Sequence, residues 1–193
     1  MISNNSIAFW GTSPPPVGGM SVHIKRLSAF LKKNGWNITQ YNFKNKKRNE
    51  SYIINIKNIG FWYLKLWFAK SPKTHYVLTS TTYVRFLASL LTLRGKKIVM
   101  RVGGRSLENG LNGNILERTL SIISLKLCTS FIGVNTDICK LAEKHTSKVK
   151  INNISGFIPP NQETSTPIEI TNFFSEKDYL KLVITGQVGE ENE

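Results

Sequence analysis

The segment Gly11-Thr12-Ser13-Pro14-Pro15-Pro16-Val17-Gly18-Gly19-Met20-Ser21-Val22-His23 constrains the fold of this chain more than any other. Pro14, Pro15 and Pro16 fit neither a central strand nor a helix interior, because proline lacks the amide proton that both require. They enforce a connection between the apolar run Ile7-Ala8-Phe9-Trp10 and the amphipathic stretch that begins at Met20. Gly18 and Gly19 permit positive φ and remove the side chains that would keep the backbone away from a bound group. The helix that follows opens with unpaired amides and the positive end of its dipole, which together favour an anion. The segment reads either as a plain chain reversal or as a cradle for a phosphate or sugar phosphate. It is not the G-x-G-x-x-G fingerprint, and it lacks the Gly-Lys-Ser/Thr ending of a P-loop.

Strand and helix patterns alternate from there on. Residues 20–34 carry an apolar stripe of Met20, Ile24, Leu27 and Leu31, and Gly35 is placed to end that helix. Residues 36–41 alternate as a strand, and 52–56 form a second short one. A helix is expected over 61–70, a buried strand over 75–79, a helix over 83–93 and a strand over 97–102. Residues 115–127 read as a helix with Ile115, Leu116, Leu120, Ile123 and Leu127 as its apolar positions. A strand over 130–134, a short helix capped within Asn135-Thr136-Asp137 and a strand over 150–154 follow. This βα alternation predicts an α/β fold, a Rossmann-like parallel sheet with helices on both faces. One domain is expected over 1–160, a Ser/Thr-rich linker over 161–179, and a fresh strand, Leu180-Lys181-Leu182-Val183-Ile184-Thr185-Gly186, within 180–193.

The early strand, the proline-rich loop, the Gly-Gly pair and the wording Met20-Ser21-Val22-His23-Ile24-Lys25-Arg26-Leu27 resemble the N-terminal domain of GT-B glycosyltransferases of the family-4 type. The helix–Gly–strand run over 31–42 and the entry Ile154-Ser155-Gly156-Phe157-Ile158-Pro159-Pro160 into a second domain are similar too. The resemblance implies a retaining hexosyl transfer, in surface-polysaccharide synthesis, from a nucleotide-sugar donor to a saccharide or lipid-linked acceptor, without a metal or other cofactor. It also implies that the donor is held mainly by a C-terminal domain bearing an E-x7-E element, of which residues 180–193 are the first strand. The expectation is a truncated enzyme with little or no activity alone. Gly18 and Gly19 would approach the donor diphosphate, and Arg101, Gly103, Arg105 and Asn135 would line the cleft. The chain departs from many relatives in having Val102 before Gly103, where they carry histidine before glycine.

Charge is the second constraint. Residues 1–105 hold 18 Lys and Arg against Glu50 alone, a balance of +17, whereas residues 106–193 hold 8 against 11, a balance of −3. Phosphorylated small molecules, an anionic membrane face or nucleic acid would each answer such a bias. No zinc-finger spacing, RRM-type aromatic motif or helix-turn-helix is present, so nucleic acid is not expected. The Lys44-Asn45-Lys46-Lys47-Arg48 cluster reads as a solvated loop or as part of an anion-facing surface. Neither a secretory signal nor a run of apolar residues long enough to span a bilayer is found, which points to a cytoplasmic protein, peripheral to the inner face of a membrane if the lipid-facing reading holds.

Two segments keep two readings each. The aromatic helix over 61–70 either packs Phe61, Leu64 and Phe68 on the sheet, or turns Trp62, Tyr63 and Trp67, flanked by Lys57, Lys65, Lys70 and Lys73, towards lipid headgroups. Arg101 and Arg105, around the Gly103-Gly104 pair, either solvate a loop or bind a diphosphate at the carboxyl end of a strand. His23, His75 and His145 are too scattered to make a metal site, and Cys128 and Cys139 read as reduced, buried thiols. A non-catalytic module that binds an anionic membrane or polyphosphate is the alternative function.

Overall fold

A computed structural model of the chain describes residues 5–12, 19–43, 50–68 and 70–154. The expected linker, the hinge and the strand over 180–193 lie outside the described residues, as do Gly18, the proline loop and the Lys44–Arg48 cluster.

Among the described residues seven strands form one sheet: β1 (Ser6–Trp10), β2 (Asn37–Asn42), β3 (Ile53–Asn55), β4 (Thr74–Val77), β5 (Lys97–Val102), β6 (Ser130–Gly133) and β7 (Lys150–Asn153). Their order is β3-β2-β1-β4-β5-β6-β7, and every neighbouring pair is parallel. Strand order reverses between β1 and β4, which is the switch point where open α/β sheets take their ligands. The helices are α1 (Gly19–Lys33), α2 (Ile59–Phe68), α3 (Thr82–Leu90), α4 (Ser106–Asn112), α5 (Ile115–Leu127) and α6 (Thr136–Glu143), with a 3-10 turn at Leu91–Arg94 after α3. The expected α/β architecture is therefore observed, and α4 is an addition to it.

Side chains alternate between the two faces of the sheet. Ala8 and Trp10 of β1, Tyr41 of β2, Val77 of β4, Met100 of β5 and Phe131 of β6 join one core cluster with Tyr63, Leu66, Leu87, Ala88, Leu125 and Ile138 of the helices. Ile7, Phe9 and Tyr76, of opposite parity and fully buried, lie on the other face, where His23 of α1 meets Tyr76. α1 ends as its sequence predicts. Gly35 has φ 78°, and the Trp36 amide reaches back to the Leu31 carbonyl at 3.0 Å.

Three expected packing arrangements come out differently. Met20 heads the α1 stripe yet is 40% exposed, because the helix buries Ser21, His23, Ile24, Ser28 and Leu31 instead. In α5, Ile115 and Leu116 are exposed, while Ser121, Ser124 and Leu125 are buried. Small side chains are what that interface needs, since α4 and α5 come so close that a Cβ on Gly110 would sit 2.5 Å from Ser121 Oγ. The third is α2, whose Phe61, Leu64 and Phe68 point away from the core, at 63, 58 and 78% exposure. Tyr63 and Leu66 are buried in their place. A helix that is apolar all round has no period to choose its inner face. The wide rings decide it: Trp62 packs edge-on against Trp10 at 5.1 Å and against Tyr41 at 4.6 Å between centroids, and it also meets Phe43.

The end of β1 is held by close approach. A Cβ on Gly11 would collide with Ile24 Cδ1 of α1 and lie 2.6 Å from the Leu78 carbonyl oxygen, which is backbone and cannot swing aside. The variant Gly11→Ala is expected to lose roughly 1–3 kcal/mol of stability by overpacking, measurable as a lowered urea midpoint at unchanged slope.

Candidate functional site

Of the residues singled out in the sequence, Gly19, Arg101, Gly103, Arg105 and Asn135 lie at or just beyond the carboxyl ends of β1, β5 and β6. Gly19 is the first residue of α1, exposed, with open space where a Cβ would stand; its φ is not positive, in contrast to Gly104, where φ is 60°. Gly103 follows β5 and lies against Val134 beyond β6, 3.4 Å from its Cγ1 once a Cβ is added. Arg105 is exposed and occupies the N-cap position of α4. Asn135 caps α6, its side-chain oxygen accepting from the Ile138 amide at 2.9 Å, so that oxygen already has a structural task.

Arg101 differs from its neighbours. It is the penultimate residue of β5 and only 3% exposed, with Nη2 donating to the Ile154 carbonyl at 3.2 Å. The guanidinium also lies beside the Tyr76 hydroxyl, which is hydrogen-bonded to His23 Nε2 at 2.9 Å. Nη1 is buried without a hydrogen-bond partner among the described residues. Among the described residues no carboxylate pairs with Arg101, so a full positive charge is kept under the first turns of α1 with neutral oxygens and a ring for company. A buried, uncompensated charge costs several kcal/mol.

The groups around Arg101 are tuned to stay neutral. Burial, and then the Arg101 charge, lower the His23 pKa from 6.5 to about 4. Burial raises the Tyr76 hydroxyl above its ordinary range, against the opposing pull of Arg101. At neutral pH the His23 ring and the Tyr76 hydroxyl are therefore both uncharged.

A second arginine organises the same edge and was not foreseen from the sequence. Arg85 of α3 is 1% exposed, and Nη1 donates to the Thr79 and Ser80 carbonyls and to Ser106 Oγ, at 3.3–3.4 Å. Nη2 donates to Thr82 Oγ1 at 3.0 Å and to the Ser106 carbonyl at 3.1 Å. Burial lowers its pKa to about 10. These bonds tie the loop after β4 to the start of α4, and so fix the rim around the ends of β4 and β5. The only hint in the sequence is a lone cation between Val84 and Phe86.

The residues expected at a membrane surface divide into two groups. Trp62 and Trp67 are half-buried against the core cluster, whereas Lys65 and Lys70 are exposed. His75 belongs to the core: Trp10 Nε1 donates to its Nδ1 at 2.9 Å, and its Nε2 donates to the Pro72 carbonyl at 3.0 Å. Away from the carboxyl edge, an open depression of about 390 Å³ is bordered by Lys32, Trp36 and Tyr52, with the Lys32 ammonium 3.3 Å from the centre of the Tyr52 ring.

No protein-family model matches the chain, and no curated protein sequence matches it. Among solved structures it is similar to an alpha-glucosyltransferase in complex with UDP and a 13-mer DNA containing a central A:G mismatch. That similarity has a TM-score of 0.47 and 13% sequence identity, over 68% of this chain and 37% of the other.

Proposed function

We propose that the chain is the acceptor-side, Rossmann-like domain of a retaining GT-B glycosyltransferase of the family-4 type, moving a hexosyl group from a nucleotide sugar to a saccharide or lipid-linked acceptor in surface-polysaccharide synthesis. The observation that carries this reading is Arg101, a buried guanidinium at the carboxyl edge of a parallel sheet, with no carboxylate beside it and no partner for Nη1 among the described residues. In this reading the donor diphosphate approaches Gly18 and Gly19 at the head of α1. Arg101 supplies fixed positive charge where negative charge collects on the departing diphosphate, an electrostatic contribution that is largest in a site shielded from water. Gly103, Arg105 and Asn135 border the acceptor. Arg85 holds the rim and touches no substrate.

The test is ligand-dependent thermal unfolding of the full chain. Ligands are nucleoside diphosphates, their sugar derivatives, inorganic pyrophosphate and the parent nucleosides. Ligands that bind only the folded state raise the melting temperature with concentration. Diphosphates and nucleotide sugars are expected to raise it, and nucleosides to leave it unchanged. A flat response to every phosphorylated ligand would overturn the reading.

A further inference from the structure

The outer face of α2 is not used by the core or by the candidate site. Phe61, Leu64 and Phe68 fall at i, i+3 and i+7, and therefore share one side of the helix with Lys65 at i+4. All four are exposed, and the Lys65 ammonium stands 4.7 Å from the centre of the Phe61 ring. Single exposed apolar residues are ordinary, but three in register on one short helix mark a contact surface. The opposite side is anchored by Tyr63 and Leu66, with Trp62 and Trp67 packed against the core cluster, so the exposed face belongs to a fixed element.

Charge identifies the occupant. Lys57 precedes the helix, Lys70 and Lys73 follow it, and Arg94 lies 5.9 Å from the Trp67 ring; all four are exposed. Between Glu50 and Glu108 the sequence contains no acidic residue. A second copy of the chain would bring two such cationic surfaces together, which like-charge repulsion opposes. A surface that is apolar at its outermost layer and anionic just beneath the water fits both features: rings and Leu64 enter the acyl boundary while the lysines remain among phosphates.

We infer that the α2 face is a docking surface for anionic lipid bilayers, with Phe61, Leu64 and Phe68 as the inserting side chains and Lys57, Lys65, Lys70 and Lys73 as the headgroup contacts. The inference stands on α2 alone and is independent of Arg101 and of sugar transfer. It is tested by co-sedimentation of the full chain with vesicles of phosphatidylcholine, with and without phosphatidylglycerol. The wild-type chain is expected to partition onto the phosphatidylglycerol vesicles, less so as salt is raised, and hardly at all onto phosphatidylcholine alone.

The triple variant Phe61→Ser/Leu64→Ser/Phe68→Ser changes only exposed positions, and is expected to lose at least about tenfold of that partitioning at an unchanged circular dichroism spectrum. The variant Arg101→Met is expected to partition like the wild type, which separates failure of this inference from failure of the proposed function. Undiminished vesicle binding by the triple variant would overturn the assignment. So would a wild-type dimer that the triple variant converts to monomer without any lipid dependence.

Discussion

Lowering the pH from 7.5 to 4.5 is expected to remove about 5 kcal/mol of folding stability, through two histidines that the fold keeps neutral. His75 and His23 are 0 and 8% exposed, and each pKa is lowered from 6.5 to about 4. Burial is the main cause for both, followed by the Lys96 charge for His75 and the Arg101 charge for His23. The hydrogen bonds of His75 agree, because a proton on Nδ1 would face the Trp10 N–H that now donates to it. Both pKa values are depressed, so the unfolded chain binds protons more readily between pH 6.5 and 4. The stabilising contribution is fully present above pH 6.5 and is lost as the pH falls towards 4. Each histidine accounts for roughly half the effect, and the total is comparable to the whole stability of many domains. Urea titrations at several pH values measure it, and the variant His23→Asn is expected to halve the slope. A midpoint that stays constant from pH 7.5 to 4.5 would show that the two rings take up protons as readily in the folded as in the unfolded chain.

The variant Arg101→Met is expected to cost at least about tenfold in affinity for a phosphorylated ligand, since hydrogen bonds to charged groups contribute about 1.5–3 kcal/mol. It is expected at the same time to leave folding stability unchanged or higher. Replacing a buried charge with an apolar side chain of similar length removes its desolvation cost. Two modest hydrogen-bonding contacts, to the Ile154 carbonyl and beside the Tyr76 hydroxyl, are given up in exchange, and the hydroxyl keeps His23. An arginine present only to brace β5 against Ile154 would behave in the opposite way, with stability falling and ligand binding untouched. The two properties together separate a ligand-binding role from a bracing one.

Much of this architecture is legible in the residue pattern. Gly35 ends α1, Asn135 caps α6, and the βα alternation implies the parallel sheet, because each of these features is local to a few residues. α4 is missed because Asn109 and Gly110 are weak helix formers and its apolar spacing is the single pair Leu107 and Leu111, which hold it in the core. The inner face of α2 is unreadable locally, since Phe61 and Trp62 are equally apolar and only the groove beside Trp10 and Tyr41 distinguishes them. The same holds for the site. Its position at the end of β5 follows from the edge rule, and Arg101 was marked on that ground. Its burial follows from strand parity and from the pairing of His23 with Tyr76, 53 residues apart, which no short window contains.

The most direct measurement is isothermal titration of a nucleoside diphosphate such as UDP into the full wild-type chain and into Arg101→Met, at two salt concentrations. The account predicts saturable binding by the wild type that weakens with salt, and at least about a tenfold loss in the variant at equal or higher folding stability. Equal affinity in the two proteins, or no binding by the wild type, would contradict the assignment of Arg101 to a phosphate ligand.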